Sequence, residues 1–211
     1  MTGRISIDLF STLDGVQQAP GTPDEDREGG FVFGGWQAPL LDDIAGAQVW
    51  EGIEAMDALL LGRKTYDIFA AYWPQQLDGS DSPIARKFAE IPKYVASRSA
   101  IDLPWRGSEL LGDDLPAAIA DLRERHANVH VIGSIDFSRT LVREGLFDVL
   151  NLWIHPIVIG AGKRLFPDDG PPVGLTLLEP PVSSEKGTVL LRYGPGGDVR
   201  TGDMTAPDRG V

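Results

Sequence analysis

Polar and apolar positions alternate from Arg4 to Phe10, with Ile5, Ile7 and Leu9 on one side, and this period of two predicts a first strand. The strand stops at Leu13-Asp14-Gly15. The next segment, Gln17 to Gly35, holds Pro20, Gly21, Pro23, four acids and Gly29-Gly30, which predicts a long surface loop. Mixed spacing through Leu41, Ile44, Ala45 and Gln48 predicts a helix over about Leu40 to Met56. The apolar run Ala58 to Leu61 ends at Gly62, and helical spacing resumes over Lys64 to Tyr72, so a strand, a glycine and a helix follow one another. A short helix over Pro83 to Ile91 precedes a strand from Lys93 to Ala96 that ends in Ser97-Arg98-Ser99.

The pattern then repeats. Asp113 or Asp114 caps a helix whose Leu115, Ile119 and Leu122 share a face, and the helix leads into the apolar run Val129 to Ile132. Gly133 follows, Asp136 is placed to cap a helix carrying Phe137, Thr140 and Leu141, and Gly145 ends it. A long apolar stretch near Val149 to Gly160 is broken by Asn151, His155 and Pro156. Leu175 to Leu178 and Thr188 to Tyr193 predict closing strands. Strands alternating with helices predict a mostly parallel twisted sheet, and the closely spaced last strands predict an antiparallel edge. The expected architecture is a three-layer mixed α/β domain spanning residues 1–193, with a tail over 194–211.

Composition narrows the function classes. The chain has 211 residues and a net charge of −12, from 31 acidic against 19 basic residues, which argues against nucleic acid or an anionic membrane as partner. Any anionic ligand must meet local basic groups. With no cysteine, thiolate catalysis and cysteine-ligated metals are excluded. His126, His130 and His155 form no i,i+4 pair and no ligand pattern, so no metal is expected. No charged start leads into an apolar signal core, and a cytoplasmic location is the expectation.

Candidate chemistry gathers at strand ends, which a parallel sheet collects along one edge. The turn at Gly133 feeds a helix, and the open amides and dipole of a helix start suit a pyrophosphate. Gly160-Ala161-Gly162-Lys163-Arg164 lacks the spacing and the Ser or Thr of a P-loop. Ser138 stands where a dinucleotide fingerprint opened at Gly133 requires its last glycine. Arg63 and Arg98 are placed to hold a ribose phosphate, as an acidic protein binding an NADP-type ligand would need. The alternative is that both cap surface turns.

Four segments together resemble a known family: Ser11-Thr12-Leu13-Asp14-Gly15, Leu59 through Tyr66 (LLLGRKTY), Lys93 through Arg98 (KYVASR), and His155 through Phe166 (HPIVIGAGKRLF). Their order and combination are similar to the dihydrofolate reductase-like fold, and within it to the reductase half of the riboflavin-pathway deaminase-reductases, over residues 4 to 193. The resemblance implies an NADPH-dependent oxidoreductase that transfers a hydride to a pteridine or pyrimidine type of heterocycle. The closest named activity is 5-amino-6-(5-phosphoribosylamino)uracil reductase of riboflavin biosynthesis. It implies nicotinamide near Leu13, Asp14 and Gly15, the phosphate-bearing ribose near Gly62, Arg63, Lys64, Thr65, Ser97 and Arg98, and pyrophosphate at Gly133, Ser134 and Ile135. It also implies a homodimer assembled through late strands.

Two positions depart from the family pattern: Ser134 stands where a second glycine is common, and Val149 where an acid is usual. A serine hydroxyl is able to bond a phosphate, while its side chain restricts close approach. Reduction of a carbon–nitrogen double bond needs a proton, and the residues name no donor. Asp42 is the carboxylate placed by position to hold a substrate, with an alternative reading as a helix-start acid. Trp36 and Tyr72 are candidate stacking surfaces for a flat ring, or packing residues. A non-catalytic nucleotide or small-molecule binding protein on the same fold is the rival class.

Overall fold

The computed structural model describes residues 2–79 and 81–203; the last residues of the expected tail, 204–211, lie outside them. Nine strands form one sheet among the described residues. They are β1 (Arg4–Thr12), β2 (Ala58–Gly62), β3 (Lys93–Ala96), β4 (Ser108–Leu110), β5 (Asn128–Ile132), β6 (Val149–His155), β7 (Gly174–Leu177), β8 (Val182–Ser183) and β9 (Val189–Gly197). The order is β4-β3-β2-β5-β1-β6-β9-β7, with β8 beside β9. Pairings from β4 to β6 are parallel and those involving β9 are antiparallel, as the strand and helix spacing predicts.

Five helices cover the two faces: α1 (Asp43–Ala55), α2 (Arg63–Gly79), α3 (Pro83–Glu90), α4 (Leu115–Arg125) and α5 (Ile135–Arg143). Because successive strand residues point to opposite faces, each central strand splits its side chains between two layers. Ile5, Ile7, Leu9, Leu60, Val129, Val131, Leu150 and Leu152 pack with Ile119 and Leu122 of α4 and Leu141 and Val142 of α5. Leu59, Leu61 and Val95 pack on the other face with Ile53, Tyr66 and Phe88 of α1, α2 and α3. A third small cluster, Val16, Ala19, Phe31 and Trp36, gives the loop after β1 a core of its own.

Several boundaries differ from the sequence reading. Helix α2 runs past Tyr72 and through Pro74 to Gly79; Trp73 anchors that turn edge-on against Phe69 and Phe88. Helix α1 begins at Asp43, because Asp42 in extended conformation accepts the Ala45 amide as its cap. The cap expected of Asp136 is absent: α5 starts from Ser134, and Asp136 lies in its first turn. β9 continues to Gly197, so the expected tail at 194 starts within a strand that pairs with β7. No helix among the described residues is long and apolar enough to cross a membrane.

Candidate functional site

The ends of β2, β3 and β5 open onto one cavity of about 1270 Å³. Gly62, Arg63, Lys64, Thr65, Ser97, Arg98, Gly133, Ser134 and Ile135 all line it, so nine of the twelve residues expected at the cofactor are brought together. The cavity is also lined by Val49 and Ile53 of α1, Met56 just after it, Tyr72 and Trp73 of α2, Phe88 of α3, and Gln17 to Thr22 of the long loop.

The turn after β5 is built by ties between two strand ends. Gly133 and Ser134 are consecutive left-handed residues, with φ of 67° and 57°. The Ser134 amide donates to Thr65 Oγ1 at 2.9 Å, and Ser134 Oγ accepts the Gly62 amide at 2.7 Å. Those two bonds tie the end of β2 to the start of α5. Ser134 therefore acts as a structural tie through an Oγ lone pair, which leaves its hydroxyl hydrogen free to donate. A Cβ on Gly62 would stand 3.1 Å from the Cβ atoms of Phe137 and Ser134, so this close approach requires glycine. The amides of Ile135, Asp136 and Phe137 are the first three of α5, precede its first intrahelical bond, and belong to residues lining the cavity. With the helix dipole they form the positive end that a pyrophosphate requires. The chain fits a dinucleotide at this edge.

The other three expected cofactor residues lie elsewhere. Leu13, Asp14 and Gly15 line a separate cavity of about 520 Å³ with Gly160, Arg164 and Phe166. The physical reason is the Asp14 carboxylate, which accepts the Thr12 hydroxyl at 2.6 Å and the amides of Ile159 and Gly160 at 3.2 and 2.7 Å. Burial alone would raise its pKa, yet the Thr12 hydroxyl and these amides pull it down from 3.8 to about 2. The turn is thus knotted to the segment after β6, and the stretch of the loop that faces the main cavity begins at Gln17.

Two of the three substrate candidates are also absent from the main cavity. Asp42 is spent as the α1 cap and on the Lys186 amide, 2.8 Å away. Trp36 is buried, donates Nε1 to the Gln18 carbonyl at 2.8 Å and meets His155 edge-on. Tyr72 does line the cavity and is 43% exposed, as a stacking surface must be. Buried His155 sits between Trp36 and Phe10, and burial pushes its pKa down, as befits a packing residue.

Sequence reasoning missed a polar group on the cavity floor. Asp8 of β1, His130 of β5 and Asn151 of β6 project from the same face of three adjacent strands. His130 Nδ1 lies 2.6 Å from Asp8 Oδ2, and Asn151 Nδ2 donates to Asp8 Oδ1 at 2.8 Å. The available signal was alternation itself. Ser6 and Asp8 look solvent-facing in an isolated strand, but β1 lies between β5 and β6 with both faces covered, so a carboxylate there must have partners.

The loop after β1 also carries charge to the cavity rim. Asp26 accepts from Lys64 at 2.9 Å and from Lys163 at 2.7 Å, and Glu28 accepts from both lysines. Asp26 is driven down to about 2; its burial opposes the shift and the two ammonium groups outweigh it. Gln18 holds the loop from within, donating to the Asp26 and Glu28 carbonyls and accepting the Lys163 amide.

Comparison with known proteins places this geometry in context. The family model described as RibD C-terminal domain matches residues 4–186. An uncharacterized protein of Bacillus subtilis (strain 168), YyaP, is 26% identical over 171 residues, which cover 78% of this chain and 81% of that protein. The crystal structure of a candidate riboflavin biosynthesis protein from Shewanella sp. PV-4 superposes with a TM-score of 0.63 at 19% identity, covering 91% of this chain and 98% of that one. Dihydrofolate reductase from Enterococcus faecalis, complexed with NADP(H), superposes at 0.56 and 13% identity, covering 94% and 99%. The fold is dihydrofolate reductase-like.

Proposed function

We propose that this chain, which belongs to the RibD C-terminal domain family, is an NADPH-dependent reductase of a planar pyrimidine or pteridine heterocycle. The observation that carries the reading is the convergence of three strand ends on one cavity that α1, α2 and α3 line with apolar and aromatic side chains. NADPH, when bound, supplies the hydride. The first amides of α5 hold its pyrophosphate, and Arg63 and Arg98 at the ends of β2 and β3 meet the ribose phosphate. Tyr72 and Trp73 flank the flat ring of the substrate, and the ordered loop from Gln17 excludes water from the reacting atoms.

A specific observation favours an unphosphorylated substrate over the phosphoribosylaminouracil of the closest named activity. Beside the loop, Lys64 and Lys163 line the cavity, and Asp26 and Glu28 already pair with both. A substrate phosphate would meet Asp24, Glu25 and Asp26 there. Turnover of the ribosyl phosphate at least tenfold above that of the free heterocycle would reverse this choice. The rival, a binding protein without hydride chemistry, is separated by titrating NADPH while following tryptophan fluorescence and then assaying oxidation. Saturable quenching and turnover are expected; no quenching at millimolar NADPH sinks the reductase reading. A cytoplasmic homodimer belongs to the same proposal, and sedimentation of the full chain tests its assembly.

A further inference from the structure

We propose that His130 is the proton donor of this site, with Asp8 and Asn151 as the positioning residues that hold its ring; the inference rests on the reductase reading. His130 and Asp8 side chains are only 8% and 10% exposed, yet both residues line the cavity. Both oxygens of the Asp8 carboxylate are engaged, one by His130 Nδ1 and one by Asn151 Nδ2. A carboxylate so deeply placed is costly without hydrogen-bond partners, and the imidazole ring and the Asn151 amide are those partners. Its binding at Nδ1 fixes the ring and turns Nε2 away from the carboxylate.

No hydrogen bond to a described residue engages Nε2, and it is not among the polar atoms cut off from solvent without a partner. Helix α1 passes the ring at Gly52, where a Cβ would stand 3.8 Å from Cε1, so no side chain of that residue covers the edge. The strand positions registered with or bonded to this group are Ser6, Leu59 and Asn151, which leaves Asp8 as the ionisable side chain in contact with the ring.

The step balances as follows. As hydride adds to the carbon of a C=N bond, the π pair moves to nitrogen, which forms an N–H bond while the Nε2–H bond of His130 breaks. The ring keeps that electron pair, becomes neutral with Nδ1–H on Asp8, and regains a proton from water. One hydride and one proton are consumed per turnover.

The test uses the full chain labelled with ¹⁵N-histidine, with the His130 resonances assigned against His130→Gln. Adding uracil, lumazine or pterin is expected to move the Nε2 signal of His130. In turnover, His130→Gln is expected to lose about 10²- to 10⁴-fold in kcat with NADPH affinity by fluorescence within twofold of wild type. Asp8→Asn should lose less, and imidazole should partly restore His130→Ala. An Nε2 signal unmoved by every heterocycle, or a His130→Gln kcat within threefold of wild type, overturns the proposal. A wild type that binds no NADPH sinks the reductase reading instead, and the histidine signal still decides whether this ring meets a ligand.

Discussion

Two glycine turns end adjacent parallel strands of this sheet, and only one of them opens to the main cavity. After β1, Gly15 has φ 82°; after β5, Gly133 has φ 67°. Their sequences look equally fit for a ligand. In the first, the amides of Leu13 and Gly15 bond to Ile157 and Thr12 carbonyls, Asp14 takes two amides of the segment after β6, and Arg164 donates to the Asp14 carbonyl. Every strong group is spent inside the protein. In the second, Thr65 Oγ1 accepts the Ser134 amide, Ser134 Oγ accepts the Gly62 amide at the end of β2, and the amides that begin α5 stay available. What separates a turn open to a ligand from a closed one is where its hydrogen bonds go.

The largest effect is expected where the open turn is forced apart. Gly62→Val places a branched side chain against the Cβ atoms of Phe137 and Ser134, already 3.1 Å from a single added carbon. Overpacking of this kind costs about 1–3 kcal/mol, which lowers Tm by roughly 2–12 °C in a domain of this size. The distinguishing result is NADPH affinity: it should fall at least tenfold, because α5 must shift. Gly15→Ala forces a left-handed alanine at a cost of roughly 1–2 kcal/mol and should leave NADPH affinity within twofold. Calorimetry and fluorescence titration on both variants would show equal losses of affinity if the two turns were equivalent after all.

The closed turn has its own signature in acid. Asp14 is held at about 2 against an ordinary 3.8, so its contribution is present above pH 4 and disappears as pH falls toward 2. Water reaches this carboxylate, which limits the contribution to about 1 kcal/mol. Asp14→Asn should lower stability near neutrality and flatten the acid limb of the Tm profile between pH 4 and pH 2. An unchanged acid limb would mean that the knot at Ile159 and Gly160 does not form.

Ser134 sets a finer contrast. Ser134→Ala keeps a side chain at φ 57° and loses the bond from the Gly62 amide, for a cost of about 1 kcal/mol. Ser134→Gly loses the same bond but relieves the left-handed strain, worth roughly 1–2 kcal/mol, so its net effect should be near zero. Chemical denaturation of both variants checks the order, and an alanine variant as stable as the glycine one would remove the strain from the account.

These contrasts also mark what the sequence makes legible. Period-two spacing locates β1, β2, β3 and β5 to within two residues and a cap places the start of α4, while the apolar stretch near Val149 to Gly160 runs five residues past the end of β6. β4, with Ser108, Glu109 and Leu110 all partly or fully exposed, has no buried face and goes unseen. The gathering of Gly62 to Thr65, Ser97, Arg98 and Gly133 to Ile135 follows from parallel topology, which the alternation of elements reveals. The readings of Asp42 as a helix-start acid, Asp14 as a turn residue and Trp36 as a packing residue stand among the alternatives; their partners, and that of Ser134, lie 3 to 146 positions away in the chain and are not visible. The Asp8, His130 and Asn151 group is hidden for the same reason: three strands distant in sequence meet only in the sheet.

The smallest expected effect concerns the rim beside the open turn. Lys64 follows Arg63 at the start of α2, and it is shared between Asp26 and Glu28 of the loop; Lys163 is held by the same two acids. Burial opposes the shift, yet the pKa of Lys64 is raised, because both carboxylates and the network around that ammonium favour the charged form. An anion arriving at Arg63 and Lys64 must therefore compete with the protein's own loop. Glu28→Gln leaves Asp26, the more buried acid, to hold both lysines while reducing the local negative charge by one. NADPH affinity should rise about two- to threefold, as expected for an exposed charge, and the gain should shrink as salt increases. The same variant should leave the Asp14 acid limb untouched, since that turn lies in the other cavity. If instead affinity falls, the loop acids hold Lys64 in place for the ligand, and the rim works as a cradle rather than as a competitor.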